Sequence, residues 1–193
     1  MMRPLYDRVM ALAARPDAIY WMAAISFIES SVFPIPPDVL LIPMVLANRQ
    51  RAFWIATVCT VSSVIGGYVG YAIGYFAFEA VGRPVLELYG AMDKYVSVKQ
   101  TFDHWGAWFI IVKGMTPIPY KLVTIFAGTV KFDLLQFTFS SLISRAIRFF
   151  VEAALLWQFG APIRDFIERR LTLVLMVSAA LLVGGFFLIR YVV

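Results

Sequence analysis

Cys59 is the only cysteine, so the chain can form no intrachain disulfide and has no cysteine cluster to hold a metal. His104 is the only histidine, which removes a histidine-based zinc site and a Ser-His-Asp triad. Ser30, Ser31 and Ser144 have no base beside them, and there is neither a glycine-rich phosphate loop nor a pair of metal ligands. No enzyme, metal or cofactor is expected. Charged residues make up only 15% and gather in a few stretches. The net charge of +5 does not point to nucleic acid, because Lys and Arg flank or interrupt apolar segments and form no basic face.

Apolar side chains are abundant. They make up 61% of the 193 residues and mean hydropathy is +0.79, where a soluble domain is about half apolar. The longest runs can cross a hydrocarbon core of about 30 Å. Arg3, Arg8 and Arg15 precede an apolar run from 18 to 33. Pro16, Asp17 and the interior Glu29 fit a cleaved signal peptide poorly. Residues 3–15 are expected to form a short interfacial helix, with Leu5, Val9 and Leu12 on its apolar side.

The run 18–33 is short for a crossing and stops at Phe33-Pro34-Ile35-Pro36-Pro37, where prolines remove amide donors and force extended backbone. A second short arm, 38–47, follows and ends at Asn48-Arg49-Gln50-Arg51. Two half-length arms around a proline break predict a re-entrant hairpin, whose tip must sit in protein or water. The run 52–78 is long enough to span. Within it Gly66, Gly70 and Gly74 share one helical face, and helix packing is the simplest use for that stripe. Residues 79–104 are mixed in charge and predict an interfacial amphipathic helix. The first pattern then returns: an arm over 105–115 containing Lys113, the break Thr116-Pro117-Ile118-Pro119, a short arm over 122–130, and a long span over 132–159. A last apolar span covers 171–193.

With the two Pro-Ile-Pro triplets superposed, Asp38 falls on Lys121, while Glu29 and Lys113 lie one position out of register. The expected fold is an all-α polytopic membrane protein, a single domain over 1–193. It is an inverted repeat (about 18–78 and 105–160) of two re-entrant helical hairpins, with about three full transmembrane helices and interfacial amphipathic helices. The bases of 1–17, 48–51 and 161–170 share one side if both hairpins return to the side they entered, and the positive-inside rule makes that side cytoplasmic, N-terminus included. The segment 79–104, with four acids and three bases, falls on the other side. Inverted repeats with broken helices meeting near mid-membrane are a recurrent transporter plan.

Seven ionisable groups lie in apolar surroundings: Glu29, Asp38, Lys113, Lys121, Arg145, Arg148 and Glu152. An isolated charge at the bilayer centre costs at least about 2.5–3.5 kcal/mol, so these must pair or reach water. Arg148 and Glu152 share a helix face, with Arg145 one turn away. Two readings follow. Opposite charges neutralise each other and hold the halves together, or Lys113, Lys121, Arg145 and Arg148 bind an anionic headgroup while Glu29 and Asp38 exchange protons. Glu152, Ser144, Pro34, Pro36, Pro117 and Pro119 would support that site.

The stretches FIESSVFPIPPDVLL, GGYVGYAIGYF, KGMTPIPYKLVTIFAGT and SRAIRFF, spread over 27–150, resemble the DedA family (the VTT, or SNARE-associated, type of domain), nearest its short YqaA-type branch. The resemblance implies two re-entrant hairpins in a bacterial inner membrane and translocation of undecaprenyl phosphate or phospholipids, with dependence on the proton-motive force. By position, Glu29 and Asp38 match the acidic pair around the first proline turn, and Arg145 and Arg148 match the downstream basic pair. Lys113 and Lys121 stand where many members carry arginine, which bears on substrate identity because lysine makes no bidentate phosphate contact. The function expected is a lipid flippase or scramblase whose partners are membrane lipids and protons. The alternatives are a secondary transporter of a small ion or solute, and a non-transporting scaffold. Whether the protein works as a homodimer is left open.

Overall fold

The computed structural model describes residues 11–13, 15, 17–31, 36–88, 90, 92–115 and 119–169. Seven α-helices order them: α1 Ala18–Ser31, α2 Asp38–Ala47, α3 Ala52–Ala77, α4 Arg83–Leu88, α5 Met92–Met115, α6 Tyr120–Thr129 and α7 Leu134–Arg169. A 3₁₀ turn, Arg49–Arg51, leads into α3, and a wider π-type turn, Phe78–Gly82, joins it to α4. No strand occurs among the described residues.

Small residues set the packing around α3. The Ser26 hydroxyl of α1 donates to the Cys59 carbonyl at 2.7 Å, and the Ser30 and Ser63 hydroxyls lie 2.7 Å apart. One turn further on, Gly66 touches the Phe27 carbonyl, where a side chain would overlap backbone. Helix α1 therefore runs parallel to the first half of α3. Helix α6 continues along the second half. There Gly70 meets Thr124, Gly74 meets the Ile125 carbonyl, and Gly128 of α6 meets the Tyr71 carbonyl. The glycine stripe is thus used for close backbone approach, the packing that small residues permit.

The other arms double back. Ile19, Met44, Asn48, Arg51 and Ile55 line one cavity of about 170 Å³ at the start of α3, so α2 returns to where α1 began. At the far end Phe78 stacks on Tyr95 at 4.9 Å, and the Tyr95 hydroxyl donates to the Thr129 carbonyl, so α5 begins beside the end of α6. The two hairpins approach α3 from opposite ends, and their inner ends meet near Gly66–Gly70. Helix α7 runs antiparallel to α3, with Thr138 on Tyr68 and Phe150 on Phe53. The Ser144 hydroxyl on α7 donates to the Ile111 carbonyl of α5, 33 residues back, the separation that also joins Ser26 to Cys59.

Local signals explain the ends of these helices. Asp133 caps α7 by accepting from the Gln136 amide at 2.8 Å. Helix α6 closes with paired bonds from the Lys131 amide to Gly128 and from the Phe132 amide to Ala127, with Lys131 left-handed at φ 54. Pro162 lies inside α7 and leaves the Gln158 carbonyl without its usual amide donor. Arg49 supplies one at 3.1 Å and also binds the Trp157 carbonyl.

Helix α5 is one continuous helix, so the expected boundary between an interfacial helix ending at 104 and an arm beginning at 105 does not exist. Hydropathy changes there but nothing breaks the backbone: Gly106 packs on the Phe132 ring, and Phe102 is buried against Phe109, Phe126 and Phe132. Likewise α3 does not stop at 78 but continues helically, making Arg49–Leu88 the one described helix long and apolar enough to cross a membrane. The span expected over 132–159 falls on α7, a single long helix that is not, among the described residues, apolar enough by composition to cross a membrane. The interfacial reading of 3–15 falls largely, and the span 171–193 entirely, outside the described residues.

Two apolar cores result. One gathers α1, α2, the first half of α3 and Phe149, Ala153 and Leu156 of α7, and the other gathers Phe102, Ile110, Tyr120, Val123, Ala127 and Phe137. Many large apolar side chains remain exposed, among them Trp21, Trp54, Phe76, Trp105, Trp108 and Leu135. Water does not favour so extensive an apolar exterior, and lipid does.

Candidate functional site

Between the two cores, four helices converge on one buried guanidinium. Arg145 of α7 has no solvent exposure. Its Nε donates to the Ser63 hydroxyl at 2.7 Å and its Nη2 to Glu29 Oε2 at 3.3 Å. Aromatic rings cover its faces: Tyr120 at 4.7 Å belongs to one core and Phe149 at 4.6 Å to the other. Such stacking suits the planar, weakly hydrated guanidinium. Ser30 extends the network by donating to Glu29 Oε2 at 3.2 Å.

A second ion pair lies one turn along α7. Arg148 Nη2 donates to Asp38 Oδ2 at 2.8 Å, with both side chains about a quarter to a third exposed. Asp38 is the first residue of α2, after Pro37, where the helix N-terminus favours negative charge. Glu152, four residues beyond Arg148, faces the same carboxylate. The acids of the first hairpin thus meet the two arginines of α7.

These contacts bring together five of the residues the sequence singled out: Glu29, Asp38, Arg145, Arg148 and Glu152. Lys121 lies in the first turn of α6, half-buried, and its carbonyl accepts from the Thr124 hydroxyl at 2.9 Å. Ser144 is packed against Gly114 and bonded to the Ile111 carbonyl, so it ties α7 to α5. Pro119 directly precedes α6, and Pro36 lies two residues before α2. Pro34, Pro117 and the side chain of Lys113 lie outside the described residues.

Sequence reasoning missed Ser63, Tyr120 and Phe149. Ser63 sits one turn before Gly66 on the packed face of α3, so a hydroxyl there points at a neighbouring helix. That position was the available signal. Tyr120 directly follows the second proline break and looked like one more apolar residue.

Charge at the two ends of the bundle is ordinary surface charge. Arg83 is paired with Glu87 and Glu79, and Arg15 holds the Asp17 carboxyl below the usual carboxylate range. Both pairs are exposed, where such contacts stabilise little.

Residues 35–158 match the VTT domain family. The chain is similar to an uncharacterized protein of Haemophilus influenzae, 36% identical over 168 residues that cover 85% of this chain and 87% of that one. It is also similar to an uncharacterized protein of Histophilus somni, 38% identical over 168 residues with coverage of 85% and 87%. No solved structure matches it.

Proposed function

The chain belongs to the VTT-domain, or DedA, family of membrane proteins implicated in lipid or ion transport, and from that premise we propose that it translocates a phosphate-bearing lipid, as a flippase or scramblase. The observation that carries the proposal is the pair of ion pairs, Glu29–Arg145 and Asp38–Arg148, placed where the inner ends of both hairpins meet α3. Charges at such depth are expensive, and in membrane proteins they mark substrate paths.

In this reading the hairpins are re-entrant and enter from opposite faces of a bacterial inner membrane as an inverted repeat. Arg15, Arg49 and Arg51, beside the first hairpin's base, put that base and the N-terminus on the cytoplasmic side. The arginine pairs are the resting form of the site. A lipid phosphate replaces the carboxylates on Arg145 and Arg148, whose planar forks suit phosphate oxygens. Lys121, in the first turn of α6, adds positive charge near the path, and Lys113 is assigned to the same headgroup set. Protonation of Glu29 or Asp38 frees an arginine for the phosphate, and loss of that proton helps the pair re-form as the lipid leaves. Such an exchange couples transport to a proton gradient. A phospholipid and undecaprenyl phosphate both carry the headgroup chemistry required.

The test is purified protein in liposomes that carry labelled phospholipid or polyprenyl phosphate in one leaflet. Faster leaflet exchange with protein than without supports the reading. Equal exchange refutes it and leaves the ion-transport or scaffold roles.

A further inference from the structure

Buried donor groups with unused hydrogens gather around Arg145. Among the described residues, Arg145 Nη1, the Tyr120 hydroxyl and the Ser141 hydroxyl are buried side-chain atoms with no hydrogen-bond partner. All three residues are almost completely buried. They also lie together. Ser141 and Arg145 are one turn apart on α7, the Tyr120 ring lies 4.7 Å from the guanidinium carbon, and the Tyr120 and Ser141 hydroxyls face each other, short of a well-formed hydrogen bond. Gly67 on α3 closes the spot, and a Cβ there would come within 3.3 Å of the Tyr120 hydroxyl.

Native interiors leave few polar groups unpaired, and a cluster of them asks for a missing acceptor. Each of these atoms can donate, and Nη1 can do nothing else. The fourth unpartnered atom, Asp38 Oδ1, is an acceptor and lies beside Glu152, apart from the donor set. We infer that Arg145 Nη1, Tyr120 Oη and Ser141 Oγ form a preorganised donor site for an oxygen of a phosphate group. The inference rests on the proposed lipid transport and identifies the groups that hold the phosphate during passage. Ser63 holds Nε, and Glu29 holds Nη2 until the phosphate displaces it, so the guanidinium keeps its orientation and offers Nη1 to the incoming anion. Tyr120 and Ser141 add hydroxyl donors beside the guanidinium, which suits an anion with several acceptor oxygens.

Two variants test this, Tyr120→Phe and Ser141→Ala. The first keeps the ring on Arg145, and each removes only an unpaired hydroxyl. Deleting an unsatisfied buried donor does not weaken the resting fold, so melting temperature should hold or rise. Two readouts are needed: exchange of fluorescent phosphatidic acid in phosphatidylcholine vesicles, and the rise in melting temperature of the detergent-purified protein with inorganic phosphate against chloride. Each variant should slow lipid exchange about tenfold or more, the effect of one hydrogen bond to a charged group, and should abolish the phosphate-dependent rise. Lipid exchange at the wild-type rate in both variants would overturn the donor site and leave lipid transport standing. If wild-type protein moves no lipid but gains stability from phosphate through Tyr120 and Ser141, the donor site stands and lipid transport falls. Neither exchange nor phosphate stabilisation in the wild type removes both. Lower melting temperatures that track the loss of exchange assign the hydroxyls a structural role and also overturn the inference.

Discussion

Glu29→Gln should destabilise the protein far more than Asp38→Asn, although its ion pair is the longer one. Arg145 and Glu29 are 3.3 Å apart with side chains 0% and 14% exposed, whereas Arg148 and Asp38 are 2.8 Å apart at 31% and 26%. Water screens the second pair and can solvate whichever charge loses its partner. An exposed pair is worth about 0.2–1 kcal/mol. Arg145 cannot be rescued in this way: removing one member of a buried pair costs about 3–5 kcal/mol because the other charge is stranded. Gln keeps one carbonyl acceptor, so about 3 kcal/mol is expected, or a fall of about 6–12 °C in melting temperature at this size. Replacing both partners, as in Glu29→Gln with Arg145→Met, removes the stranded charge and should cost less than Glu29→Gln alone. Thermal unfolding of the detergent-purified single and double variants decides the matter. Equal losses for Glu29→Gln and Asp38→Asn, or strictly additive losses in the double variant, would refute the reasoning.

Three further outcomes follow from the packing. Gly66→Ala and Gly74→Ala each place a methyl group on a neighbouring helix backbone, at the Phe27 and Ile125 carbonyls. Both should lower membrane accumulation and melting temperature, whereas Gly82→Ala, which meets only the movable Phe78 ring, should do neither. Lys131→Gly relieves a left-handed backbone at φ 54 and should stabilise by about 0.5–1 kcal/mol, read as a small rise in melting temperature. Cysteines at the exposed positions Gln50 and Glu87 should label from opposite sides of the membrane, with buried Cys59 silent. Labelling of both from one side contradicts opposed hairpins.

Much of this arrangement was legible before any coordinates. Proline punctuation located the arms well, and 38–47 coincides with α2, because a proline cluster removes donors and fixes backbone whatever the tertiary context. The glycine stripe announced close helix packing, although not that it serves both hairpins in turn. The boundary at 104/105 misled because it came from a change in polarity. Helix continuity depends on backbone bonding, and an amphipathic stretch flows into an apolar one without a break. At the site the participants could be named from charge in apolar surroundings, but their pairing could not. Superposing the repeats aligned acids with lysines but named no pairs, and the structure pairs the acids with arginines of α7. Neutral members stayed hidden, since Ser63, Tyr120 and Ser141 gain meaning only from what they face.

Leaflet exchange of labelled lipid in vesicles containing wild-type, Glu29→Gln or Arg148→Ala protein tests the central claim most directly. Wild-type protein should exchange lipid, and both variants, once shown to be folded in the vesicles, should lose most of that exchange. Folded variants that exchange lipid as fast as the wild type would contradict the assignment of the paired charges to the transport path.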